Sequence, residues 1–105
     1  MIMKYEISST KVFGKWFGGL KDSAVKRKIL ARLSRIECGN FGDYKVISSD
    51  VNELRFFFGA GLRIYYTIQQ GRIVLLLVGG DKSTQSKDID RAIQIQKELD
   101  VDYDD

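Results

Sequence analysis

The sequence predicts an α+β domain in which two N-terminal helices and one C-terminal helix pack on a twisted, mostly antiparallel sheet, in the order β-α-α-β-β-β-β-α. Three observations carry this prediction. Two stretches with apolar residues at helical spacing come early in the chain, before four strand-like segments. Those segments are joined by links too short for crossovers: "SD" before Val51, "GAG" and "QQG". The last of them, "RIVLLLVG", loses alternation from Ile73 to Val78, the mark of a strand buried on both faces.

The elements follow in chain order. "MKYEIS" alternates into a short edge strand. Ser9 or Thr10 then caps a helix, "TKVFGKWFGGL", with Val12, Phe13, Trp16 and Phe17 on one face and Gly18-Gly19 as its stop. Asp22 or Ser23 caps a second helix whose apolar stripe is Val25, Ile29, Leu30, Leu33 and Ile36, and Gly39 ends it. Its other faces bear Lys26, Arg27, Lys28, Arg32 and Arg35. "NFGD" is a turn, followed by the strands "YKVIS", "VNELRFFF", "LRIYYTI" and "RIVLLLVG". Ser86 caps the final helix, with Asp88 and Asp90 at its positive end and Ile89, Ala92, Ile93 and Leu99 facing the core. By strand alternation Tyr65 and Tyr66 point to opposite faces, one to the core and one to solvent.

Composition bounds the function. The chain has 105 residues, enough for one core. Its 17 bases and 14 acids are unevenly placed: five of the acids lie between Glu98 and Asp105, which hold no base. Residues 1–97 therefore carry 17 bases against nine acids, a net of +8, and are read as the folded domain, with 98–105 an acidic C-terminal tail. Such an excess suits a polyanionic partner, nucleic acid above all. No apolar run approaches a membrane span, the N-terminus has no long apolar leader segment, and Cys38 alone makes no disulfide framework. The expectation is a cytoplasmic protein.

Metal chemistry is disfavoured by one cysteine, no histidine and scattered carboxylates, so no metal or cofactor is expected. Without histidine the usual general base near neutral pH is missing. Cys38, at a helix end beside apolar residues, reads as a small core residue. The turn "GGDKST" is not a P-loop, because Asp81 separates Gly80 from Lys82 and positions 75–78 are strand. Lys82 with Ser83, Thr84, Gln85 and Lys87 at a helix start can still hold a phosphate, and the same residues can equally form a self-capped turn. Lys45, Arg55 and Arg63 fall on successive strands, with Lys82 after the next. Paired in order, they converge on one face with Tyr65 as a stacking ring. The competing reading pairs the arginines with Glu53 or Asp81 as surface ion pairs.

Four segments in this order, the F-x-x-W of the first helix, "RLSRIECGNFGDYKVI", "VNELRFFFGAGLRIYY" and "IVLLLVGGDKSTQSKDIDRA", resemble the HigB-like killer proteins of the RelE/ParE toxin superfamily. The resemblance covers nearly the whole chain apart from the acidic tail. It implies a small sheet with two N-terminal helices and a C-terminal helix. It also implies the toxin half of a type II toxin–antitoxin pair, neutralised by a HigA-like helix-turn-helix antitoxin in a homodimer or a toxin–antitoxin heterotetramer. Such toxins either cut mRNA on the ribosome or poison DNA gyrase; a degenerate toxin keeping only its antitoxin contact is a third reading. In the nuclease reading Arg63, Arg55 and Lys82 are the catalytic set, and Lys45, Tyr65, Ser83, Thr84, Gln85 and Lys87 hold RNA. The sequence departs from the family at the start of the final helix. Gln85, Ser86 and Lys87 stand there in place of the tyrosine or histidine that relatives often carry.

Overall fold

The computed structural model describes residues 3–103, with side chains as far as Leu99. Strand β1 (Glu6–Ser9) leads through Thr10 into α1 (Lys11–Gly18), and Asp22 opens α2 (Ser23–Glu37). Strands β2 (Tyr44–Val46), β3 (Asn52–Arg55), β4 (Arg63–Gln69) and β5 (Ile73–Gly80) follow, then a single 3-10 turn (Lys82–Thr84) and α3 (Gln85–Tyr103). The sheet runs β1-β5-β4-β3-β2; β1 pairs β5 in parallel and the other neighbours are antiparallel. The predicted element order and the interior place of β5 hold. The predicted "YKVIS" and "VNELRFFF" are shorter as strands, ending at Val46 and Arg55. Helix α3 runs on past Glu98 to Tyr103, so the acidic segment 98–105 lies partly within it and partly outside the described residues.

Each helix start has a reason. The Thr10 side chain accepts from the Phe13 amide at 3.0 Å, and Asp22 accepts from the amides of Ala24 and Val25. These caps occupy donors that no helical carbonyl can reach. Ser86 is not the cap of the last helix. Asp81 caps the 3-10 turn in a reciprocal box with Thr84, and α3 continues directly from it at Gln85. Gly39, at φ +95°, ends α2 in the left-handed region open to glycine.

Helices cover both faces of the sheet. On one face Phe13 of α1 and Ile29 and Ile36 of α2 pack with Leu54, Ile64, Tyr66, Val74 and Leu76. On the other, Ile89, Ala92, Ile93 and Leu99 of α3 pack with Val51, Tyr65, Leu75, Leu77 and Val78. Tyr65 and Tyr66 do point to opposite faces, but both are buried, at 0% and 2% exposure, because α3 closes the face expected to meet solvent. Leu30, placed in the α2 stripe, is exposed, as is Cys38, expected in the core.

The register of β4 on β5 shifts between Tyr65 and Tyr66, which pair with Val78 and Leu76 and leave Leu77 as an extra residue. This bulge turns Leu77 and Val78 to the same face. The Thr10 hydroxyl donates to the Leu77 carbonyl at 2.8 Å, so the cap of α1 also pins the bulge. Beyond the bulge, a side-chain carbon on Gly79 would overlap the Trp16 ring, and one on Gly80 would overlap Asp88. These glycines are present for close packing rather than to wrap a phosphate.

Burial drives the pKa values of Tyr65 and Tyr66 well above the usual 10, with Glu53 adding to the rise at Tyr65 and Tyr44 at Tyr66. The folded state thus favours the neutral phenols. Their stabilising contribution is complete below pH 10, the unfolded value, and is lost as pH rises toward the higher folded values. Each tyrosine is expected to remove about 1.4 kcal/mol per pH unit in that window. Urea titrations at pH 9 and above pH 10 check it: Tyr66→Phe should visibly flatten the alkaline loss, and an unchanged slope would disprove the assignment.

Candidate functional site: a buried carboxylate under a basic sheet end

The site begins with strand parity. Lys45 pairs with Glu53 and Glu53 with Tyr65, while Arg55 pairs with Arg63 and Arg63 with Gly80. All of these lie on the α3 face of the sheet, since side chains two apart share a face. The sequence-predicted set therefore does converge, but around a residue assigned only a minor part: Glu53, which is 0% exposed.

Three side chains hold that carboxylate. Arg55 Nε donates to Glu53 Oε1 at 3.1 Å, and Arg63 Nε lies 3.8 Å from the same oxygen. Gln85 Nε2 donates to Oε2 at 2.8 Å. The cap at Asp81 sets the start of α3 and so brings Gln85 across 32 positions of sequence to meet β3. The Tyr65 hydroxyl faces Glu53 closely enough for the carboxylate to raise its pKa, yet makes no well-formed hydrogen bond. A buried charge needs this many partners, since its desolvation costs several kcal/mol.

The two arginines differ in what they offer a ligand. Arg63 was expected on the solvent side and is only 8% exposed; its Nη1 is spent on the carbonyls of Gly61 and Leu62. Gly80 is its register partner on β5. Arg55 keeps about a third of its side chain exposed (35%). Lys82 is exposed, donates its amide to the Ala60 carbonyl, and lays its stem against Gly61, which Arg63 Nη1 also approaches. Arg55 and Lys82 are thus cations that reach solvent at this sheet end, while Arg63 is buried.

The remaining expected residues divide. Lys45 is exposed on β2 beside Glu53. Tyr65 cannot stack on a base where it stands, because α3 and the sheet enclose it. Ser83 and Thr84 are engaged in the turn itself: Ser83 Oγ and its amide both donate to Asp81 Oδ1, and Thr84 Oγ1 donates to Asp88. Those bonds, the Ser83 hydroxyl first, hold the Asp81 carboxyl below its ordinary range. The self-capped reading of this turn holds. Lys87 lines a different cleft of about 1070 Å³ between α1 and α3, with Lys11, Lys15, Trp16 and Arg91. Among the described residues no cluster of His, Cys, Asp or Glu is gathered to hold a metal, and no helix is long and apolar enough to cross a membrane.

Glu53 was the residue the sequence understated. Its signal was an acid two positions before an arginine on one strand, "ELR", opposite an arginine on the next.

An α+β domain with a carboxylate-centred, outwardly basic sheet end is the class that this geometry defines. The chain belongs to the family "Phage derived protein Gp49-like (DUF891)", a toxin–antitoxin-associated family whose model matches residues 15–98, a span that includes every strand except β1. It is similar to an "Uncharacterized protein" of Haemophilus influenzae, 45% identical over 97 residues that cover 92% of this chain and 98% of the relative. No solved structure matches.

Proposed function

We propose that the protein is the toxin of a type II toxin–antitoxin module that cuts mRNA on the ribosome in the cytoplasm without a metal, and that a HigA-like helix-turn-helix antitoxin neutralises it. The observation that supports this most is the solvent-reaching cations at this sheet end, Arg55 bonded to the buried Glu53 and Lys82 lying against Gly61 beside Arg63 Nη1. The family's toxin–antitoxin association supports the module.

The chemistry suits these groups. The RNA 2′-oxygen attacks the adjacent phosphorus in line, losing its proton to solvent water, while the bond to the 5′-oxygen breaks and that oxygen takes up a proton. The products are a 2′,3′-cyclic phosphate and a 5′-hydroxyl. Charge grows on the phosphoryl oxygens, where the Arg55 guanidinium and the Lys82 ammonium stabilise it. Lys82 is also the exposed proton donor of the site. Alignment by the ribosome contributes the rest.

A second reading, inhibition of DNA gyrase without chemistry, is favoured by one observation. Gln85, which with Ser86 and Lys87 stands near where such toxins often carry a tyrosine or histidine, is tied to Glu53 and unable to transfer protons. Induction in cells separates the two. The nuclease reading expects growth arrest with new mRNA 5′ ends in primer extension, relieved by co-expression of an adjacent helix-turn-helix partner. Arrest with intact transcripts and accumulated cleaved DNA–gyrase complexes would transfer the protein to the second reading.

A further inference from the structure

The loop between β3 and β4 reads "FFFGAG", three phenylalanines in a row with opposite fates. Phe56 is 3% exposed and Phe58 half-buried; their rings meet edge-on at 5.7 Å and pack against the core. Phe57 between them is 87% exposed, the most exposed of the large apolar side chains among the described residues. Its two neighbours are anchors, so its projection is fixed by the loop rather than by fraying. Arg32 fastens the base of that loop from α2. Its guanidinium donates to the carbonyls of Phe41, Asp43 and Arg55, at 2.6–2.9 Å, and covers the Phe56 ring.

Beside Phe57 lies a shallow pocket of about 270 Å³. Lys28 and Arg35 of α2 and Arg55 of β3 line it with the three phenylalanines and no acid. Lys28 stands 4.7 Å from the Phe58 ring centre, and Arg35 is exposed. An exposed ring flanked by cations is the arrangement that binds a nucleobase on its face and the adjoining phosphates on its rim.

We propose that Phe57 stacks on a base of single-stranded RNA and that Lys28 and Arg35 carry the adjoining phosphates, extending the Arg55 end of the site across the edge of α2. The proposal rests on the RNA-cleaving reading and takes over the stacking role that burial denies Tyr65. Charge complementarity commits it to RNA: a pocket lined by four basic residues, Lys28, Arg32, Arg35 and Arg55, and by no acid favours a polyanion over an apolar protein segment.

The test is fluorescence anisotropy of the full chain with a short single-stranded RNA, 2′-O-methylated so that it cannot be cut. Phe57→Ala should weaken binding roughly tenfold, and Phe57→Trp should restore it. Lys28→Gln and Arg35→Gln should each reduce the slope of log affinity against log salt by about 0.7. Equal binding by Phe57→Ala and wild type would overturn the proposal, as would failure of the wild type to bind this RNA. Loss of antitoxin binding with RNA binding intact would also overturn it, reassigning the loop to a protein contact. Cleavage is read separately. A wild type that cuts mRNA with a neutral Phe57 leaves the nuclease reading standing and removes this inference. A wild type that binds through Phe57 without cutting does the reverse.

Discussion

Glu53→Ala is expected to cost about 3–5 kcal/mol, most of the stability available to a domain of this size. The substitution leaves the buried Arg63 guanidinium to the Gly61 and Leu62 carbonyls, and deprives Gln85 of its acceptor. A buried charge without its partner is among the few changes that large. Arg63→Ala, at 8% exposure, is expected to destabilise for the complementary reason, although Arg55 and Gln85 still hold the carboxylate. Denaturant unfolding of purified protein measures both. A Glu53→Ala protein within 1 kcal/mol of wild type would mean that the carboxylate is not the keystone of this face.

The second large effect is functional. Arg55→Ala should leave the fold in place, since its ion pair is partly exposed and Glu53 keeps Arg63 and Gln85. Such a pair contributes about 1 kcal/mol or less. Toxicity should nevertheless collapse, by roughly 10²–10³ in cleavage rate, because a cation aimed at the transferring phosphoryl group is lost. Arg55→Lys keeps the charge but loses the fork that grips two oxygens, and should recover only part of it. Growth arrest as strong as wild type from an equally abundant Arg55→Ala protein would place the chemistry elsewhere. Arg55 and Arg63 together thus separate two roles that a sequence places side by side. In the proposed reading Arg55 meets the ligand and Arg63 keeps the shape of the sheet end.

Much of the fold was legible because it is local. Short links, five, seven and three residues between the strands as they form, leave little choice but hairpins, and Asp22 and Thr10 cap their helices. The unalternating run of β5 announced two covered faces, but the same consequence for its neighbour β4 passed unread, so Tyr65 was taken for a solvent residue. The bulge at Leu77 was invisible, since a run of uniformly apolar residues carries no phase to shift. Residue type and spacing single out Lys45, Arg55, Arg63 and Lys82, and the first three share the α3 face of the sheet. They do not give the depth of Arg63 or the central place of Glu53. Both depend on where α3 docks, and that is settled by Gln85 reaching Glu53 across the chain, a contact with no local signature.

The most direct measurement adds purified protein to ribosomes programmed with one defined mRNA and maps the transcript by reverse transcription. Wild type should produce discrete new ends carrying a 5′-hydroxyl opposite a 2′,3′-cyclic phosphate, and Arg55→Ala at equal concentration should leave the transcript whole. An mRNA that stays intact while the wild-type protein halts translation or growth would contradict the nuclease reading.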